Sequence, residues 1–139
     1  MLEWGISPRY LATVPLNFSI VSTGRAKKAS RIIDGKTYDF SESGLGILTS
    51  VIASDGLHAY FSNDMSSATQ LEIRLELPEK TVTIIGQTCR YQKNETARLS
   101  EYTYLLGVKI VSISEEDKAT YQKFISSLKN DPERRSPRY

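Results

Sequence analysis

The stretch QLEIRLELP (Gln70 to Pro78) places Leu71, Ile73, Leu75 and Leu77 on one side and Glu72, Arg74 and Glu76 on the other. That period of two belongs to a half-buried β-strand, and Pro78, which has no N–H to donate to a ladder, stops it. A strand with one apolar face needs other elements to cover that face.

Similar patterns lie on both sides. VPLNFSIVSTG (Val14 to Gly24) alternates Leu16, Phe18 and Ile20 against Asn17 and Ser19 and ends at a glycine. SRIIDGKTYDF (Ser30 to Phe40) is rich in β-formers but interrupted by Asp34-Gly35, which predicts either one bulged strand or a tight hairpin. GLGILTSV (Gly44 to Val51) predicts a further strand. The stretch from Ile52 to Ser67, rich in Ser, Asp and Asn, predicts a long loop with at most a turn of helix. TVTIIGQTCRYQ (Thr81 to Gln92) and SEYTYLLGVKIVSI (Ser100 to Ile113) add two strands joined by the polar KNETAR (Lys93 to Arg98).

After the last strand, Ser114 followed by Glu115, Glu116 and Asp117 reads as a helix N-cap with acidic residues at the positive end of the dipole. Tyr121, Phe124, Ile125 and Leu128 then recur at helical spacing, and Asn130-Asp131-Pro132 ends the helix. About six short strands and one amphipathic helix predict a mainly β protein: a small antiparallel β-barrel with a C-terminal α-helix packed on it.

The 139 residues suit one domain, expected over residues 1–130, with a basic tail over 131–139. Residues 1–128 hold 14 Lys+Arg against 14 Asp+Glu, whereas residues 129–139 hold 4 against 2, so the net charge of +2 resides in the tail. A neutral body argues against a nucleic-acid polymer as partner, since single-strand binders carry a basic face interleaved with aromatics. No apolar run approaches the roughly 18 residues needed to cross a bilayer, and MLEWGISPRY (Met1 to Tyr10) has no signal-peptide core. With one cysteine, Cys89, neither a disulfide framework nor metal-ligand spacing is present, and the cytoplasm is the expected compartment.

Catalytic chemistry finds little support. His58 is the single histidine and has no carboxylate or cysteine at triad or metal spacing, so it reads as a surface or packing residue. Cys89, inside a predicted strand, reads as a small buried hydrophobe, and Trp4 as a packing residue closing one end of the barrel. The chain is not expected to be an enzyme. Arg25, Lys27, Lys28 and Arg31 read as a solvated turn, and Arg90 as an outward strand residue in an ion pair, with a ligand contact on the barrel face the alternative.

What remains is YDFSESGLGIL (Tyr38 to Leu48), where a β pattern breaks into a compact polar turn and resumes. Asp39, Ser41 and Ser43 supply acceptors and hydroxyls within a few residues, and Gly44 permits a positive φ or a close backbone approach. An ordinary hairpin turn is one reading. The other is a recognition site, since a carboxylate can accept both donors of a guanine edge and a nearby arginine can grip phosphate bidentately.

Here the chain resembles the PilZ domain, a bacterial module that binds cyclic di-GMP. The family signature Asp/Asn-x-Ser-x-x-Gly stands as Asp39, Ser41 and Gly44, and SPRYLATVPLNFSI, LEIRLELPE and YLLGVKIVSISEEDKATYQKFI resemble its first, middle and last segments in order. The resemblance implies a six-stranded PilZ-type barrel and a receptor or adaptor in second-messenger signalling, acting in motility or biofilm regulation. It implies cyclic di-GMP as ligand with no cofactor, a protein effector of motility or exopolysaccharide machinery as partner, and is compatible with a homodimer. A PilZ-fold adaptor that binds no nucleotide is the alternative.

The other family signature, Arg-x-x-x-Arg before the first strand, is half present: Arg9 stands in place, but its partner position falls on Gly5 in one register and on Thr13 in the other. The tail carries the full spacing, Arg134 to Arg138, with Arg135 between them, and repeats the Ser-Pro-Arg-Tyr found at residues 7–10. Three readings of the tail stand side by side: a solvated basic end, the stub of another PilZ copy, or a clamp folding back on its own barrel or a neighbour's. In the last, Arg9, Arg134, Arg135 and Arg138 join Asp39, Ser41 and Gly44 at the ligand.

Overall fold

The computed structural model describes residues 8–22, 28–61, 69–93, 104–131 and 133. The elements are β1 (Tyr10–Leu11), β2 (Pro15–Ser22), β3 (Lys28–Ala29), β4 (Ile33–Phe40), β5 (Gly44–Thr49), β6 (Ala53–Ser54), β7 (Leu57–His58), β8 (Thr69–Glu76), β9 (Thr81–Lys93), β10 (Tyr104–Ile113) and α1 (Glu115–Lys129). In the main sheet β4, β5, β10, β9, β8 and β2 are hydrogen-bonded in that order, all antiparallel, and β2 pairs back onto β4. The sheet is therefore a closed six-stranded barrel, and closure leaves none of those six strands as an open edge.

The alternating segments face as their periods require. Leu71, Ile73 and Leu75 of β8 and Phe18 and Ile20 of β2 are fully buried. On the outer wall Arg74 donates to Asn17 and Ser19 across the β2–β8 pairing and to Glu72 on its own strand. Full burial of such apolar side chains is worth about 1.5–3 kcal/mol each, which is why register is strongly specified on these strands.

Three local readings resolve or change. Asp34-Gly35 lies inside the single strand β4, with the irregularity between Thr37 and Asp39. Gly35 faces Leu16 of β2, and a Cβ there would lie 2.6 Å from the Leu48 carbonyl of β5, so this residue is small because two strands converge on β4. The region expected to be a loop from Ile52 contains instead a miniature hairpin, β6–β7. Its turn residues Asp55 (φ 55°) and Gly56 (φ 78°) have the paired positive φ of a two-residue I′ turn. Cys89 is exposed rather than buried, because Val82, Ile84, Gly86 and Thr88 take the inward positions of β9; it is also the extra residue of a bulge, since Gly107 faces Arg90 while Val108 faces Thr88.

Helix α1 begins as expected. Ser114 Oγ accepts from the Asp117 backbone N–H at 3.2 Å, and the Asp117 carboxylate accepts from Thr83 N–H and pairs with Lys80 at 2.9 Å. Tyr121, Ile125 and Leu128 are buried against the barrel, and Phe40 meets Phe124 edge-on at 5.1 Å. The Tyr121 hydroxyl donates to the carbonyls of Ser41 and Gly44, at 2.8 and 3.1 Å. Burial pushes its phenol pKa up, so it stays a neutral donor.

At the far end of β9 a cluster of aromatic rings joins the miniature hairpin to the barrel: His58 lies 5.5 Å from Tyr91 and 4.9 Å from Phe61, and Tyr91 lies 6.4 Å from Tyr104. His58 Nδ1 accepts from the backbone N–H groups of Tyr60 and Phe61 at 3.0 and 3.2 Å. It is thus a packing histidine that also organises the chain after β7.

Two outcomes are expected. Tyr121→Phe takes the hydroxyl donor from the Ser41 carbonyl, while the Gly44 carbonyl keeps the Ser41 N–H, and lowers unfolding free energy by about 1–3 kcal/mol, read as a lower urea midpoint at unchanged slope. Desolvation holds the His58 pKa below its ordinary value, so the unfolded chain binds the proton more readily than the native one. Stability falls as pH drops from about 6.5 towards the lowered folded value and the loss is complete below it. Melting temperatures between pH 7 and 5 should show this slope, and His58→Gln should flatten it.

Candidate ligand site on the barrel wall

The site grows from the end of β4. Residues before the barrel are held against this strand: Thr37 N–H donates to the Val14 carbonyl, and Thr37 Oγ1 accepts from Val14 N–H and donates to the Ala12 carbonyl at 2.6 Å. Tyr10 and Leu11 then pair with Phe40 and Asp39 as β1. That anchoring delivers Arg9 to Asp39. Arg9 Nε donates to Asp39 Oδ2 at 2.7 Å and Nη2 to Oδ1 at 2.8 Å, a bidentate fork between side chains that are 10% and 1% exposed.

The pair sits above Gly46 of β5, which faces Asp39 in the register. A Cβ on Gly46 would come within 2.5 Å of Asp39 Oδ1, so glycine is needed there for the carboxylate to lie flat on the wall. The close backbone approach foreseen at Gly44 thus occurs two residues later, and Gly44 is not among the described positive-φ residues.

Ser41 and Gly44 form the turn itself. Ser41 N–H donates to the Gly44 carbonyl at 2.8 Å, and Gly44 N–H donates to Ser41 Oγ at 3.1 Å. Both residues are buried, and both present carbonyls to Tyr121. Their described bonds stabilise the turn and leave Asp39, two residues before Ser41, on the outer wall.

Arg9 and Asp39 line a cleft of about 210 Å3 whose other walls are Gly46, Arg90, Gln92 and residues 105–107. It is a shelf rather than an enclosure, smaller than the roughly 300–1,000 Å3 of pockets that bury a drug-sized ligand. Sequence reasoning missed Gly46 and Gln92, because only the strand register sets Gly46 opposite Asp39 and Gln92 opposite Leu105 at the cleft. Arg134, Arg135 and Arg138 lie outside the described residues, as do Trp4, Gly5, Arg25 and Lys27. Among the described residues no group of His, Cys, Asp and Glu could hold a metal ion, and no helix is long and apolar enough to cross a membrane.

Comparison with known proteins agrees with this architecture. The sequence matches the PilZ domain family over residues 7–127. No curated protein matches it significantly. Among solved structures, the PilZ domain with c-di-GMP of YcgR from Escherichia coli superposes with a TM-score of 0.56 at 15% identity, over 88% of this chain and 89% of that one. MrkH, described as a c-di-GMP-dependent transcription regulatory factor, superposes with a TM-score of 0.50 at 14% identity, over 90% of this chain and 51% of that one.

Gly46→Ala is expected to push the Asp39 carboxylate out of its fork with Arg9, at a cost of about 1–3 kcal/mol. Combining it with Asp39→Ala, which removes the clash, should be clearly non-additive in urea titrations.

Proposed function

Since the chain belongs to the PilZ domain family, we propose that it is a cyclic di-GMP receptor or adaptor that binds without catalysis. The observation that carries this reading is the Arg9–Asp39 fork, set on the barrel wall beside an open shelf. Cyclic di-GMP presents two phosphodiester anions and two guanines. A guanidinium whose plane is already fixed by a carboxylate loses less freedom on meeting a phosphate than a loose one.

In this reading Arg9 is the contact residue and Asp39 orients it, while Ser41 and Gly44 hold the turn that carries Asp39. Arg134, Arg135 and Arg138 are the terminal-segment candidates for a second cation, and an order–disorder change in the tail would pass the signal to a protein effector of motility or exopolysaccharide machinery. Because the segment from residue 8 is docked on β4 through Asp39 and Phe40, Arg9 would meet the ligand as a preset group.

A second reading has its own observation. Both Asp39 oxygens are engaged by Arg9, so a guanine edge would have to share them with that guanidinium, which favours a PilZ-fold protein-interaction adaptor that binds no nucleotide. Isothermal titration of the full chain with cyclic di-GMP separates the two. The receptor reading expects saturable binding that Arg9→Ala weakens about ten- to hundredfold, the worth of a charge-assisted contact. Absence of heat beside an active control receptor leaves the adaptor.

A further inference from the structure

We infer that Arg90 of β9 supplies, from the barrel wall, the second guanidinium that the segment around Arg9 lacks. This rests on the cyclic di-GMP reading above and adds to it a residue from a different part of the chain.

The inference comes from register. Asp39 faces Gly46, Gly46 faces Gly107, and Gly107 faces Arg90, so these four residues form one transverse row across β4, β5, β10 and β9. Cross-strand partners point to the same side of a sheet, which puts Arg90 on the outer wall with the Asp39 carboxylate. The two middle positions are glycines, so the row has a charged group at each end and a floor with no side chains. Arg90 is exposed and lines the same cleft as Arg9. In the neighbouring row Leu105 faces Gln92, giving the shelf an apolar patch and an amide at the Arg90 end.

The bulge at Cys89 makes this possible. With one extra residue in β9, Arg90 comes into register with Gly107 and therefore with the Asp39 row. Without it the alternation would turn the arginine to the opposite face. Arg74, by contrast, lies in a polar network with Asn17, Ser19 and Glu72 on another part of the wall.

Spacing selects the ligand class. Three inter-strand steps of about 4.8 Å put Asp39 and Arg90 about 14 Å apart measured along the curved wall. Two arginines at opposite sides of one cleft then suit a compact dianion with separated phosphates and a planar base over the glycine floor. A mononucleotide engages one end only.

Calorimetry on the full chain tests this with cyclic di-GMP and 5′-GMP. Arg90→Ala is expected to weaken cyclic di-GMP binding by about tenfold or more, with Arg90→Lys between it and the unchanged protein and 5′-GMP affinity little altered. Since Arg90 lies at the exposed surface of β9, both variants are expected to stay folded, which their melting curves check. Cyclic di-GMP affinity unchanged in Arg90→Ala but lost on deleting residues 132–139 overturns the inference in favour of the tail and leaves the receptor reading intact. No binding by the unsubstituted chain removes both.

Discussion

Strand β4 has to satisfy three partners along eight residues, and the rest of the molecule follows from how it does so. Ile33 to Lys36 pair with β2 and close the barrel, Lys36 to Phe40 pair with β5, and Asp39 and Phe40 also receive β1 on the opposite edge. Closure is possible because Gly35 lets the Leu48 carbonyl approach where the strand changes partner. The same sharing leaves the irregularity between Thr37 and Asp39, which shifts the side-chain alternation so that Phe40 enters the core and Asp39 lies on the outer wall.

A buried carboxylate at that place requires a cation, because an isolated charge held from water is costly. Arg9 meets the requirement only because the chain from Ala12 to Val14 is bonded to Thr37. Three hydrogen bonds to Thr37, a two-residue strand and a bidentate fork thus hold residues 9–14 against the barrel. Removal of any one loosens the guanidinium that faces the shelf.

The turn at Ser41 and Gly44 links this wall to the helix. Tyr121 closes the turn with its hydroxyl, and Phe40, next to Asp39, packs on Phe124. Asp39 is thus tied to α1 through Phe40 and the Ser41–Gly44 turn. At the other end of β9 the aromatic cluster around Tyr91 ties the barrel to the β6–β7 hairpin, and Tyr91 also borders the cleft. The site lies on the barrel wall between the helix end and the ring cluster.

The alternation of Leu71 to Leu77 and of Leu16 to Ile20, the Ser114 cap and the Tyr121–Leu128 stripe determined the strands, the helix and their buried faces, because these are local periods that burial must respect. The Asp39, Ser41 and Gly44 motif with Arg9 likewise determined the family. Only the tertiary structure decided that Asp34-Gly35 continues a strand whereas Asp55-Gly56 turns one, since the same dipeptide serves a closing contact in one place and a positive-φ pair in the other. It alone placed Gly46, Gly107 and Arg90 in line with Asp39. Cross-strand register depends on bulges and closure, which join residues far apart in sequence, and no local period records them.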